Sequence, residues 1–288
     1  MENSFKKLML RIGKNAADAV LSAKVMPEDI REIRFCVNKP IQLVTNQKNF
    51  YINEKAFSIG EIQDIFAALC EYSVHTYKNE ICEGFITAEG GCRIGICGTA
   101  VYENGKIINI KDISGLNIRI PHEIIGAANK LVPYSEHGLL ITGPPCSGKT
   151  TLLRDIARQK SISEHVVIVD ERTEIAGTYR GIPSFDVGNS SVLNGFSKSD
   201  GIAVAARSMA PDCIICDEFG GENDISSALF AMKSGVDIVA SIHASDKEDL
   251  ITKPSFERII KNGIFEHIAF LNKKCEIYEI IKTKELCI

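Results

Sequence analysis

Residues 143 to 151, Gly-Pro-Pro-Cys-Ser-Gly-Lys-Thr-Thr, follow the apolar run Leu139-Leu140-Ile141-Thr142 and lead into a stretch carrying Leu152, Leu153 and Ile156 at helical spacing. Strand, glycine-bracketed loop, lysine, hydroxyl residue and helix in that order form a P-loop. The motif constrains the fold because it requires a buried strand on one side and a helix N-terminus on the other. At ordinary residue frequencies its fixed positions arise by chance in about one chain in a hundred of this length, so the flanking strand and helix decide the reading. The glycines let backbone N–H groups turn inward around a β-phosphate, the Lys149 ammonium reaches the β- and γ-oxygens, and the Thr150 hydroxyl ligates Mg²⁺. Gly143, Pro144, Pro145, Cys146, Ser147, Gly148, Lys149, Thr150 and Thr151 are therefore the expected phosphate-binding set.

Beyond the loop, apolar runs at 139 to 142, 166 to 169, 213 to 216 and 237 to 242 alternate with helical stretches at 149 to 160, 200 to 208 and 222 to 234. That alternation predicts an α/β domain with a parallel sheet wrapped by helices. The polar segment Lys130 to Gly138, with Pro133 and Gly138, predicts a junction there, giving domains 1–130 and 131–288. Upstream the texture is α+β: a helix near 14 to 24, a hairpin from 32–37 and 41–45, and a helix after Ser58 with Ile62, Ile65, Phe66 and Leu69 at helical spacing. Glycine-rich strands follow at 84 to 88, 92 to 101 and 106 to 120.

The net charge of −4 provides no field for holding a polyanion, so nucleic acid is not an expected partner. No signal segment or bilayer-length apolar run is expected, which places the chain in solution, at most peripheral to a membrane. Ten cysteines in such a chain read as reduced thiols rather than a disulfide framework. Cys213 and Cys216 make a C-x-x-C within a strand, as Cys92 and Cys97 lie five apart in another. Both spacings put the pair on opposite faces, so all four read as small buried hydrophobes instead of metal ligands.

Two apolar strands end in Asp-Glu: Val-Val-Ile-Val-Asp170-Glu171 and Cys-Ile-Ile-Cys-Asp217-Glu218. Either pair fits a Walker B site, whose first carboxylate holds Mg²⁺ and whose second polarises the attacking water. Spacing alone leaves both open. His243 ends the run Val-Asp-Ile-Val-Ala-Ser-Ile, at the strand end where a parallel sheet faces its ligand crevice, so it is placed to sense a γ-phosphate.

Taken together, Gly-Pro-Pro-Cys-Ser-Gly-Lys-Thr-Thr-Leu-Leu-Arg-Asp, Val-Asp-Glu-Arg-Thr-Glu-Ile-Ala-Gly, Ala-Arg-Ser-Met-Ala-Pro-Asp-Cys-Ile-Ile-Cys-Asp-Glu and Ala-Ser-Ile-His-Ala resemble the type II/IV secretion ATPases. The N-terminal segments Glu-Ile-Arg-Phe-Cys-Val-Asn-Lys-Pro and Gly-Cys-Arg-Ile-Gly-Ile-Cys-Gly extend the resemblance toward sporulation-associated members. The resemblance implies Asp217 and Glu218 as Walker B, with Asp217 on Mg²⁺ beside Thr150 and Glu218 as catalytic base. It further implies Glu171 in an acidic box, His243 in the family's His box, and Arg207 as an arginine preceding the Walker B strand. Arg93 and Arg119 match stretches that supply arginines to nucleotide, sometimes that of a neighbouring subunit. Two positions depart from the family pattern, with Ser190 and Gly221 where arginines are expected.

The resemblance implies a RecA-like fold for the α/β domain and an ATP- and Mg²⁺-dependent motor, assembled as a hexameric ring with membrane proteins of a sporulation secretion channel, on the cytoplasmic face of the mother-cell membrane. The missing arginines raise an alternative, a nucleotide-gated structural subunit that hydrolyses little. A small-molecule P-loop kinase is disfavoured, because no lid-like arginine cluster follows the sheet.

Overall fold

Period-two burial and turn chemistry build the first part of the chain, and longer apolar runs build the second. The computed structural model describes residues 2–286 and separates into two units, Met1–Glu123 and Ile124–Ile288. The polar segment Lys130 to Gly138 lies within the second.

The N-terminal unit runs α1 (Glu2–Arg11), α2 (Lys14–Ser22), β1 (Ile30–Cys36), β2 (Pro40–Thr45), β3 (Asn49–Ala56), α3 (Ile59–Leu69), α4 (Lys78–Cys82), β4 (Phe85–Ala88), β5 (Cys92–Glu103) and β6 (Lys106–Arg119). Its strands make an antiparallel sheet in the order β3-β2-β1-β6-β5-β4. The expected capped helix is α3: the Ser58 Oγ accepts from Glu61 N at 3.3 Å while the Glu61 carboxylate accepts from Ser58 N at 2.9 Å. Its stripe Ile62, Ile65, Phe66 and Leu69 is buried, as the spacing requires. Strand β3 and helix α1 were not anticipated. Cys97, expected to be buried, is exposed, because it falls on the face of β5 opposite the buried Cys92 and Ile94.

The second unit runs β7 (Leu139–Gly143), α5 (Lys149–Lys160), β8 (Val166–Asp170), β9 (Ser191–Asn194), α6 (Lys198–Ser208), β10 (Cys213–Cys216), α7 (Glu222–Met232), β11 (Asp237–His243), α8 (Lys247–Ile251), α9 (Phe256–Lys261), β12 (His267–Leu271) and β13 (Ile277–Lys282). The strand order is β13-β12-β7-β11-β10-β8-β9, parallel throughout except for the edge strand β13. Residues alternate between two cores. Leu139, Ile141, Cys213 and Ile215 face the layer formed by Leu152, Leu153 and Ile156 of α5. Leu140, Ile214 and Cys216 face the layer formed by α6, α7 and α9. Cys213 and Cys216 thus sit on opposite sides of the sheet, buried, as strand periodicity demands.

This topology fixes where a ligand binds. The chain leaves β7 and re-enters the sheet at β8, three strands away, while β12 lies on the other flank of β7. The carboxyl end of β7 is therefore a switch point, where crevices open in parallel sheets. Among the described residues, no helix is long and apolar enough to cross a membrane.

Candidate nucleotide and metal site

The backbone of the loop after β7 permits few substitutions. A Cβ on Gly143 would stand 2.7 Å from the Ser147 Oγ, and Gly148, at φ 87°, ends the loop in the left-handed region as the N-cap of α5. Cys146 is also left-handed, at φ 60°. Lys149 is buried, and its Nζ donates to the carbonyls of Gly143 and Pro144 at 2.8 Å each. Burial lowers its pKa, opposed by Cys146 and Glu218. The Ser147 Oγ is buried without a hydrogen-bond partner. The loop thus keeps its ammonium and a hydroxyl inside, ready to exchange internal carbonyls for an incoming anion.

A cavity of about 360 Å³ opens over this loop, lined on its other side by Glu174, Asp217, Glu218, Ser241 and His243. Its walls follow from strand order, since β11 neighbours β7, β10 lies next beyond β11, and the loops that follow both strands supply the opposite wall. Asp217 is 3% exposed, and its Oδ1 has no hydrogen-bond partner. The nearest cation is the Lys198 ammonium, 3.8 Å away and beyond hydrogen-bond range. Burial pushes the Asp217 carboxyl up to about 6; Lys198 pulls it down, while Asp170, Glu174 and Glu218 push it further up. An orphaned carboxylate oxygen among other carboxylates, across from Thr150, fits a divalent cation. Among the described residues, no three His, Cys, Asp or Glu side chains converge as a metal cage.

Glu218 adopts φ 43° just past β10, its N–H donating to the Ser241 Oγ at 3.2 Å and the next N–H to the Ser241 carbonyl at 2.7 Å. Ser241 on β11 thereby pins the turn. The Glu218 carboxylate meets the His243 Nε2 at 3.2 Å and the Arg172 Nη1 at 2.5 Å. Glu218, Asp217 and His243, all expected from the sequence, share the cavity with Lys149, Thr150 and Thr151.

Glu171 is not in that group. It is exposed and accepts from the Lys198 ammonium at 2.7 Å, while Glu174, three residues on, lines the cavity. Asp170 is the reason. Fully buried, it accepts from the N–H groups of Glu174 at 2.8 Å, Ile175 at 3.2 Å and Ala176 at 2.8 Å, folding the chain back after β8. Arg154, one turn into α5, donates to the carbonyls of Ile175 at 2.6 Å and Glu174 at 2.8 Å and stacks on Phe185. Of the two Asp-Glu pairs, the first is thus committed to backbone and to Lys198, and the second faces the phosphate loop. Glu174, Arg154, Arg172 and Ser241 were not anticipated. A signal for Glu174 existed in the Asp-x3-Glu spacing after a strand, which a capping aspartate makes meaningful.

Arg207 is likewise not brought to the cavity. Helix α6 runs back across the sheet from Lys198, and nine residues at ~1.5 Å each carry Arg207 roughly 14 Å away. It ends exposed over the Phe230 ring, just before β10 begins. Arg93 and Arg119 lie in the N-terminal unit, directly opposite each other on β5 and β6, with Glu32 on β1 opposite Arg119. Arg93 stacks on Phe85 at 3.9 Å. Where arginines were expected, the Ser190 Oγ donates to the Val187 carbonyl at 2.8 Å, and Gly221 caps α7, its N–H donating to Asp224 at 2.9 Å.

Residues 5–284 match the family model described as Sporulation stage III, protein AA. Stage III sporulation protein AA of Bacillus subtilis (strain 168) is 36% identical over 256 residues, which cover 85% of this chain and 83% of that one. The fold is similar to that of the pilus retraction motor PilT, solved with bound ADP, at a TM-score of 0.60 and 17% identity over 88% of this chain and 77% of that one. It is also similar to that of the Legionella pneumophila ATPase DotB, at a TM-score of 0.57 and 16% identity over 89% of this chain and 75% of that one.

Proposed function

The chain belongs to the family of Sporulation stage III, protein AA, and from that premise we propose that it binds ATP with Mg²⁺ and hydrolyses it as the motor subunit of a sporulation-associated membrane secretion apparatus. The observation that carries this reading is the cavity in which Lys149 and Thr150 face the orphaned Asp217 oxygen and Glu218.

Thr150 and Asp217 would hold the Mg²⁺, which when bound neutralises charge on the β- and γ-phosphates. The inward N–H groups of the loop cradle the phosphates, and Lys149 trades the carbonyls of Gly143 and Pro144 for phosphate oxygens. Glu218 is the general base, oriented by His243 and Arg172, and takes the proton of the attacking water. Glu174 faces the same space, and Glu171 acts through Lys198, which it holds against Asp217. In a homo-oligomeric ring, a hexamer by analogy with secretion motors and seated on the cytoplasmic face of its membrane partners, Arg93 and Arg119 would reach nucleotide, that of a neighbouring subunit included. Arg207, which lies away from this chain's own cavity, would serve catalysis there only from another subunit.

Lys149→Ala should abolish nucleotide binding, and Glu218→Gln should bind ATP while releasing phosphate at least a hundredfold more slowly than wild type. Wild-type turnover in Lys149→Ala would refute the site. The second reading, a nucleotide-gated scaffold, draws on Ser190 and Gly221 standing where cationic groups are expected. It predicts equal, near-zero phosphate release from wild type and Glu218→Gln, with ring assembly on ATP and Mg²⁺ in both, read by mass measurement in solution.

A further inference from the structure

Of the nine described cysteines, Cys70, Cys92, Cys213 and Cys216 are buried, and Cys36 and Cys82 are half-buried. Burial pushes the Cys70 and Cys92 thiols up to about 12, and Cys213 and Cys216 up as well, which leaves them unreactive. Three are exposed: Cys97 in the N-terminal unit, and Cys146 and Cys275 in the second. The last two are neighbours. The Cys275 Sγ donates to the Cys146 carbonyl at 3.6 Å, and a Cβ placed on Gly148 would stand 3.6 Å from the Cys275 Cβ and 3.7 Å from its sulfur.

The sheet brings their two loops together. Strands β7 and β12 are parallel neighbours, paired from Leu139 with His267 to Thr142 with Phe270, so the phosphate loop and the β12–β13 hairpin leave the sheet side by side. The hairpin is braced by Asn272, whose N–H donates to the Glu276 carbonyl at 3.0 Å and whose Oδ1 accepts from the N–H groups of Lys274 at 2.8 Å and Glu276 at 3.1 Å. Both cysteines occupy left-handed backbone, Cys146 at φ 60° and Cys275 at φ 62°, so each side chain projects from a sharp turn. Cys146 lines the cavity, and Cys275 stands over the loop from outside it. A disulfide needs Cβ atoms about 3.5–4.5 Å apart, so closure requires the Cys146 side chain to turn toward a Cys275 sulfur that already lies 3.6 Å from the Cys146 carbonyl oxygen.

We propose that Cys146 and Cys275 form a thiol–disulfide site at the mouth of the phosphate loop, taking a small anionic disulfide such as oxidised glutathione and closing into an internal bridge that excludes nucleotide. Lys273 and Lys274 beside Cys275 attract the anionic oxidant. The Cys275 thiolate attacks one sulfur of the oxidant, making a mixed disulfide and releasing one glutathione. The Cys146 thiolate then attacks the Cys275 Sγ, making the internal S–S bond and releasing the second glutathione. Two electrons pass from the protein sulfurs to the oxidant, and the two thiol protons end on the two glutathiones. The bridge ties a cavity-lining residue to the hairpin and holds the loop against the movement that phosphate entry requires. This consequence rests on the reading of the loop as a nucleotide site.

The test treats the full chain with oxidised glutathione, blocks remaining thiols, maps disulfides by mass spectrometry, and titrates a fluorescent ATP analogue with Mg²⁺. A Cys146–Cys275 peptide should appear, nucleotide affinity should fall at least tenfold, and dithiothreitol should restore it. Cys275→Ser, at an exposed position, should bind nucleotide like wild type and resist the oxidant, with Cys275→Ala as a second variant should the first fold poorly. Absence of the linked peptide overturns the proposal, as does a linked protein whose affinity stays within twofold of the reduced form. A bridge that forms in protein whose reduced form binds no nucleotide supports the thiol pair and sinks the nucleotide reading instead.

Discussion

Asp217→Asn should make this protein more stable at neutral pH while removing the proposed metal ligand. Asp217 is 3% exposed, its Oδ1 lacks a hydrogen-bond partner, and its carboxyl is pushed up to about 6 from an ordinary 3.8. Because the folded-state pKa lies above the unfolded one, the native state prefers the protonated acid. Stability is therefore full below about pH 4, declines as pH rises from about 4 to 6 while the unfolded chain ionises first, and stays reduced above. A shift of about two units corresponds to ~3 kcal/mol. Asparagine removes that ionisation penalty, and it leaves Lys198 paired with Glu171 at 2.7 Å, so little is lost in exchange. In thermal unfolding of the full chain at pH 7.5 the variant should melt roughly 6–12 °C above wild type, at ~2–4 °C per kcal/mol. The gap should close toward pH 4. Mg²⁺ with nucleotide should raise the wild-type melting temperature and leave the variant's nearly unchanged. A variant less stable than wild type at pH 7.5, or a gap independent of pH, would refute the assignment of Asp217 as an uncompensated buried carboxylate.

Three further expectations follow from the site and its supports. Glu174→Gln should slow phosphate release at least tenfold more than Glu171→Gln, because only Glu174 lines the cavity; steady-state turnover of the two variants decides it. Arg154→Met removes two charged hydrogen bonds to the Glu174 and Ile175 carbonyls, at about 1.5–3 kcal/mol each, and should speed amide exchange at residues 174–176. Ser58→Ala breaks the capping box of α3 and should cost about 1 kcal/mol, read in denaturant unfolding of the N-terminal unit with nucleotide binding unchanged.

What the sequence made legible depends on how local the physics is. Helix α5 and strand β10 were read to the residue, since a glycine cap, an apolar run and an Asp-Glu stop all lie within the element. The α6 boundary was missed by two residues, where Ser197 caps the helix ahead of the expected start. Strand β9 went unread because it has four residues and pairs only with β8, across a long intervening loop, and β12 because its parallel partner β7 is distant in sequence; β13, a hairpin partner of β12, was missed with it. The same contrast runs through the site. Lys149 and Thr150 are local consequences of the loop, and Glu218 and His243 lie beyond strand ends already recognised. Glu171 and Glu174 are separated only by what Asp170 does, and its three backbone bonds exist only in the folded turn. Arg207 sits close in sequence to Asp217, but the intervening chain is the end of a helix running away from the carboxyl edge of the sheet. Proximity along the chain is then distance in space.

The supports of the site explain why a loop that any P-loop protein shares is tuned here toward the metal. Three carboxylates, Glu174, Asp217 and Glu218, line the cavity that is to receive a polyanion. Each nearby cation is already engaged: Lys149 by two loop carbonyls, Lys198 by Glu171, and Arg172 by Glu218. A triphosphate entering alone would meet net negative charge across the cavity, at separations where buried charges are weakly screened. Entering with Mg²⁺, it brings the cation that the Asp217 oxygen lacks, and release of Lys149 from its carbonyls then adds a second positive charge at the phosphates. On the proposed reading, with Ser190 and Gly221 contributing no cation, metal and nucleotide would be coupled more tightly here than in a site rich in arginine, because the Asp217 Oδ1 has no hydrogen-bond partner and only Lys198, 3.8 Å away, as a counter-charge.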